Sequence, residues 1–246
     1  MNNKACIVTG SSGEIGSAIC KYLQDNNFFV IGVDKQAKKN DFCNIYLKYD
    51  LNKVINDSKY QKDFKKILLE SIKEFDLSLL VNNAAVQRLI QKKDTKITNL
   101  IESFNVNSIA PYLIYKVCEK SLLKNNGTCI NIGSIHSTLS KKQFGFYAAS
   151  KSALKSLTNS IAIENEGKIL TYLIEPAAID SKMLKAGFKN KSDIKKLREY
   201  HPSNSIGRAE DISKIIMFLH ESKIKFLHGT CIDLSGGIKS LLHDPG

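Results

Sequence analysis

The sequence predicts an α/β fold: a doubly wound parallel sheet with helices on both faces. Three observations carry that expectation. Short apolar runs alternate with amphipathic helical patterns along the whole chain. The first run passes into a glycine-rich turn and then a helix, the opening of a βαβ unit. No Pro/Gly/Ser-rich linker, composition break or internal repeat divides the 246 residues, so a single domain over 1–246 is expected.

KACIVT (4–9) reads as a buried strand running into TGSSGEIG (9–16), after which Ile15, Ile19, Tyr22 and Leu23 recur at helical spacing. In such a turn backbone N–H groups approach a pyrophosphate at the helix N-terminus. Gly10, Gly13 and Gly16 supply the tight turn, the close approach and the helix packing. FFVIGVD (28–34) is the second strand. It ends in Asp34, eighteen residues past Gly16, near the distance at which an acid holds both ribose hydroxyls of NAD. The stretch 35–41 is polar, and NIYLKY (44–49) is a third strand with little room before it for a full crossover helix. Asp50-Leu51 follows, placed to cap an adenine.

Residues 58–74 form an amphipathic helix with Phe64, Ile67, Leu68 and Ile72 on its apolar side. LSLLVNNAA (77–85) is a strand ending in Asn82-Asn83-Ala84-Ala85, small residues that let the backbone approach a ligand. A long helical pattern over 98–124 contains Asn107 and Pro111. The proline frees a carbonyl one turn back, at Asn107, and kinks the axis. That kink is either structural or a device by which Asn107 holds a water or turns its side chain toward a catalytic group.

GTCINIGS (127–134) is the fifth strand. It brings Ser134 to its C-terminal end, where open α/β sheets hold their ligands. YAASKSALKSLTNSIAIE (147–164) is a helix opened by Tyr147, with Lys151 on the same face one turn later. An ammonium there favours the phenolate and lowers a phenol pKa that is ordinarily about 10. Ser134 can hold a carbonyl oxygen while Tyr147 gives or takes the proton. A Y-x-x-x-K pair alone is common on helix surfaces, so its weight comes from the rest of the chain. ILTYLIEP (169–176) is the sixth strand. The lysine-rich stretch 177–207 that follows has weak periodicity and is expected to be a substrate lid. With Gln87, Arg88, His136 and Phe144 it is expected to wall a substrate pocket. AEDISKIIMFLHE (209–221) is the final helix and GTCIDLSGG (229–237) the last strand.

A net charge of +12 invites a nucleic-acid reading. The excess is nearly all lysine, spread along the chain, and the arginines are Arg88, Arg198 and Arg208 alone. Base and phosphate readers cluster arginine, so the charge reads as a solvated surface and no nucleic-acid partner is expected. Six cysteines without C-x-x-C spacing and five histidines without ligand spacing predict neither a disulfide framework nor a metal site. The start passes straight into a strand pattern, and no apolar run nears the roughly 18 residues that span a bilayer, so a cytoplasmic protein without a membrane partner is expected.

TGSSGEIG, Asp34, Asp50-Leu51, NNAA, Asn107, INIGS, YAASK and EPAAIDSKM stand in the order and at the spacing of the single-domain short-chain dehydrogenase/reductase family. The chain resembles that family over nearly its whole length. The resemblance implies a Rossmann sheet of seven parallel strands, NAD(P)-dependent alcohol/carbonyl chemistry on a small molecule, and a homo-oligomer, usually a tetramer, otherwise a dimer. It implies Tyr147 as acid–base, Lys151 on the nicotinamide ribose, Ser134 orienting the carbonyl and Asn107 anchoring a proton-relay water. Cofactor contacts are implied at Gly10, Ser12, Gly13, Glu14, Ile15, Gly16, Asp34, Asp50, Leu51, Asn83, Ala84, Ala85, Tyr147, Lys151, Pro176 and Ile179.

There are departures. Glu14 stands where the family usually has glycine, with Gly13 one residue earlier, a spacing closer to the branch of sugar-nucleotide epimerases and dehydratases. The chain is too short for that branch's substrate domain, and NNAA speaks against it. Pro176-Ala177 replaces a Pro-Gly, and Ser235-Gly236-Gly237 an Asp-Gly-Gly. The expected function is an NAD-dependent oxidoreductase acting on a secondary alcohol or its ketone. The alternatives are a nucleotide-binding regulator or scaffold without turnover, and a sugar-nucleotide-modifying member of the family. NAD is expected over NADP because Asp34 accepts the ribose hydroxyls and repels a 2′-phosphate. Ser11, Ser12 and Glu14 offer that phosphate no base, while Lys35, Lys38 and Lys39 pull the other way.

Overall fold

Seven strands form one parallel sheet in the order β3-β2-β1-β4-β5-β6-β7. They are β1 (Lys4–Thr9), β2 (Phe29–Asp34), β3 (Ile45–Lys48), β4 (Asp76–Asn82), β5 (Thr128–Ile132), β6 (Leu170–Pro176) and β7 (Cys231–Leu234). This computed structural model describes residues 3–37, 40–90, 95–185 and 191–241. The strand order reverses between β1 and β4, and a crevice opens beyond their carboxyl ends.

Strand β1 explains why its sequence is a continuous apolar run. Ala5 and Ile7 pack into one core, Cys6 and Val8 into another, and all four are fully buried. The first core is closed by α3 (Ser58–Ile72), α5 (Ala110–Lys124) and the far end of α6 (Gly145–Glu164), through Phe64, Leu68, Ile114, Tyr115 and Ile161. The second is closed by α1 (Glu14–Asp25) and α9 (Ala209–Ser222), through Ile19, Leu23, Ile212 and Ile216. The doubly wound seven-stranded architecture is the expected one.

Three details differ. The expected single helix over 98–124 is α4 (Ile97–Phe104), a π-helical segment Asn105–Ile109, and then α5. Pro111 has no N–H to give the Asn107 carbonyl four residues back, and the wider turn absorbs that break: the Ala110 N–H reaches Asn105, five residues earlier. Asp50, expected as an adenine cap, also caps a short helix, α2 (Leu51–Asn56), by accepting the Asn52 N–H at 2.9 Å. The stretch 177–207 contains two short helices, α7 (Lys182–Lys185) and α8 (Lys191–Glu199), and is pinned at its ends by a bridge between Ile179 and Gly207. Residues 186–190, inside the expected lid, lie outside the described residues, as do Lys38 and Lys39. Among the described residues no helix is long and apolar enough to cross a membrane, and no histidine, cysteine and carboxylate group could hold a metal.

Candidate active site

One cleft of about 860 Å³ runs from the glycine turn to the tip of β5 and against residues 177–184, Leu197 and His201. At its nucleotide end the backbone is crowded. Gly10 has φ +66°, and a Cβ there would meet Ala84 Cα at 2.8 Å; a Cβ on Gly16 would collide with the Gly10 carbonyl. Asn83 ties this turn to β4, donating to the carbonyls of Thr9 and Gly10 at 3.0 and 3.2 Å, while Thr9 Oγ1 accepts the N–H groups of Asn83 and Ala84. Gly13 is less constrained, since a Cβ there would meet only the Gly10 carbonyl, at 3.4 Å. Asp34 accepts the Ser12 N–H on one oxygen and the Gln36 N–H on the other, each at 3.0 Å. Each oxygen keeps a lone pair for a ribose hydroxyl. A glycine turn with no room for side chains beside a fixed carboxylate fits a dinucleotide.

Glu14, the departure from the family pattern, also lines the cleft. Its carboxylate accepts the backbone N–H of Lys182 and so links the glycine turn to the first residue of α7.

At the other end Ser134, Tyr147 and Lys151 converge, all buried. The Ser134 hydroxyl accepts the His136 N–H at 3.2 Å and shares a hydrogen bond with the Tyr147 phenol. Lys151 Nζ lies 5.9 Å from the Tyr147 ring centroid and donates to the Ile132 carbonyl at 2.7 Å. The electrostatics differ from expectation. Burial raises the Tyr147 pKa, and the hydrogen bond with Ser134 offsets it only in part. Burial also pushes the Lys151 ammonium down to about 7. A lysine that is itself desolvated is a weak source of the positive field that would favour a phenolate.

His136 lies on the cleft with its ring centroid 4.8 Å from Phe144 and 6.0 Å from Tyr147. Burial lowers its pKa, so the ring is neutral near pH 7. Its Nδ1 meets the Leu139 carbonyl at 3.2 Å; that contact assigns the proton to Nδ1 and leaves Nε2 as an acceptor.

Of the individually named catalytic, cofactor and substrate candidates, all but Arg88 and Asn107 line this cleft. Arg88 turns away from it. Its guanidinium forms a two-pronged pair with Glu102 of α4 at 2.6 and 2.8 Å, a partner lying in a helix fourteen residues on. Asn107 lies behind the wall, and its side chain does not turn toward the phenol. The carboxamide accepts the Val86 N–H at 2.8 Å and donates to the Val86 carbonyl and Ser150 Oγ, both at 2.9 Å. Ser150 in turn donates to the Tyr147 carbonyl at 2.7 Å, so Asn107 braces the first turn of α6.

Several lining residues had no sequence signal: Lys141, Gln143 and Ile238. Gln143 has φ +72° and its carbonyl accepts the Ile90 N–H at 2.8 Å, closing the loop after β4 onto the entry to α6.

Residues 10–239 match the family model described as Enoyl-(Acyl carrier protein) reductase. The chain is 30% identical over 247 residues to 3-oxoacyl-(acyl-carrier-protein) reductase of Haemophilus influenzae, spanning 97% of this chain and 99% of that protein. It is 26% identical over 252 residues to an uncharacterized oxidoreductase of Thermotoga maritima, spanning 97% and 96%. In fold it is similar to the aldohexose dehydrogenase of Thermoplasma acidophilum, with a TM-score of 0.87 at 23% identity over 100% of this chain and 98% of that one. A 4-hydroxyisoleucine dehydrogenase complexed with NADH gives 0.86 at 22% identity over 98% and 100%.

Proposed function

The chain belongs to the short-chain dehydrogenase/reductase family of oxidoreductases, and from that premise we propose that it is an NAD-linked enzyme interconverting a secondary alcohol and its ketone. The observation that carries this reading is the convergence of Ser134, Tyr147 and Lys151 on the cleft that also holds Asp34 and the glycine turn. A nicotinamide bound there supplies the hydride or takes it up. The chain's own residues do the rest. Burial keeps the Tyr147 phenol protonated, which suits it to give a proton to a carbonyl oxygen. Ser134, whose hydroxyl also accepts the His136 N–H, is placed beside the phenol to donate to that oxygen. Lys151 holds a ribose hydroxyl. The backbone carbonyl of Asn107, which Pro111 cannot serve, is the group assigned to anchor a relay water.

The assignment of NAD over NADP rests on Asp34, whose two oxygens are already fixed by backbone N–H groups toward the cleft. A 2′-phosphate carrying nearly two negative charges would meet that carboxylate directly. Residues 177–207, with Gln87, His136 and Phe144, form the substrate side, and the chain works as a homo-oligomer. A second reading follows from the Haemophilus relative: the ketone is a 3-oxoacyl thioester.

The test is a panel of alcohols, hydroxy acids, sugar derivatives and acetoacetyl thioesters, followed at the NADH absorbance with each cofactor. Turnover of at least one class with higher kcat/KM for NAD(H) supports the proposal. Equal or higher kcat/KM for NADP(H) overturns the cofactor assignment, and in that case Lys35 and its neighbours outweigh Asp34. No turnover with any compound favours the scaffold reading.

A further inference from the structure

Glu175 is the penultimate residue of β6, just before Pro176, and its side chain is wholly buried. Its carboxylate gathers groups from four parts of the chain. One oxygen accepts Lys239 Nζ at 2.5 Å. The other accepts Ser137 Oγ and Lys155 Nζ, the latter at 3.3 Å, and the Cys231 thiol of β7 adds a further hydrogen bond. A buried carboxylate is costly unless paired in this way. Burial works to raise its pKa, but the hydrogen bonds from Lys239, Ser137 and Cys231 outweigh it and keep the group ionised.

No step assigned above uses Glu175, yet two of its partners adjoin the substrate end of the cleft. Ser137 closes the short turn that Ser134 begins: the Ser137 N–H bonds the Ser134 carbonyl at 2.9 Å, and the His136 N–H bonds the Ser134 hydroxyl. Lys239 follows Ile238, which lines the cleft.

We propose that Glu175 is a positioning residue for the substrate half of the site. Through Ser137 it fixes the turn that aims the Ser134 hydroxyl and the His136 ring, and through Lys239 it holds Ile238 against the cleft. Neutralising the carboxylate leaves two ammonium groups facing one site and releases both walls. The effect on turnover rests on the oxidoreductase reading; the effect on the turn does not.

The experiment compares Glu175→Gln, Ser137→Ala and the double variant in the full chain. Three quantities are read: amide hydrogen exchange over 134–139 and 236–241, NADH affinity, and kcat on the fastest carbonyl of the panel. Exchange in 134–139 should rise in both single variants while β1 and β4 stay protected. kcat should fall about tenfold with the NADH Kd within about twofold, the scale of a small misplacement of a catalytic group. The double variant should be no slower than Glu175→Gln, because the two act through one contact. Exchange rising evenly along the chain, or additive losses of kcat that track the melting temperature, would overturn the proposal. If Glu175→Gln does not fold, Ser137→Ala and Lys239→Met must loosen 134–139 and 236–241 respectively, and failure of either pattern refutes it. If the wild-type chain reduces no carbonyl, the oxidoreductase reading fails while the exchange pattern still decides the role of Glu175.

Discussion

At the glycine turn the cleft is shaped by main chain; at Tyr147 it is shaped by side chains reaching across the fold. The first region has no room to vary, since Gly10 abuts Ala84 and Gly16 abuts the Gly10 carbonyl. The second depends on Asn107, Ser150, Ser137 and Glu175, each holding a group from another element. A change in the first region should remove nucleotide binding outright. A change in those bracing residues of the second should leave nucleotide binding and alter chemistry.

The sharpest way to break that contrast is Gly16→Ala. Alanine in a helix ordinarily stabilises by up to about 1 kcal/mol relative to glycine. Here the added methyl has no place, so the variant should lose NADH affinity by about a hundredfold or more and lose stability as well. Fluorescence titration and urea midpoints check both; a stabilised, NADH-binding variant would refute the backbone account.

The Tyr147 end makes a pH prediction. Lys151 falls from near 10.5 to about 7 on burial. Between those values the unfolded lysine holds a proton that the folded one has released, so this residue's contribution to stability rises with pH across the window. The slope is about 1.4 kcal/mol per pH unit in mid-window. Tyr147, raised by burial, does not oppose it until the pH passes the ordinary phenol value. Stability of the wild type relative to Lys151→Met, from urea midpoints, should therefore climb from pH 7 to pH 10. A flat difference would mean that Lys151 is charged in the folded chain.

The smallest effect concerns Arg88. Its pair with Glu102 is half exposed, so Arg88→Ala should cost about 1 kcal/mol or less and leave substrate KM within about twofold. A large rise in KM would return Arg88 to the substrate wall.

The same contrast explains what was legible in the sequence. Glycines, a strand-ending acid and the order of apolar runs are local signals, so the sheet, the glycine turn and Asp34 could be read from neighbours in the chain. The Tyr147–Lys151 pair was legible for the same reason, since one helical turn joins them. Arg88 was not: its fate depends on Glu102, which competes with any substrate for the guanidinium. Glu175 gave no signal, because its partners Ser137, Lys155, Cys231 and Lys239 lie up to sixty-four residues away and meet only when β6 and β7 pair. The direction of the Tyr147 shift is not legible either, because spacing places an ammonium near a phenol but says nothing about the desolvation of both.

The most direct test of the account is Tyr147→Phe, read by NADH titration and turnover on the same preparation. The phenyl ring fills the same buried space while the proton donor is gone. The account predicts an NADH Kd within about threefold of wild type and turnover reduced about a thousandfold, the range of a lost general acid. Turnover at the wild-type rate in this variant would contradict it.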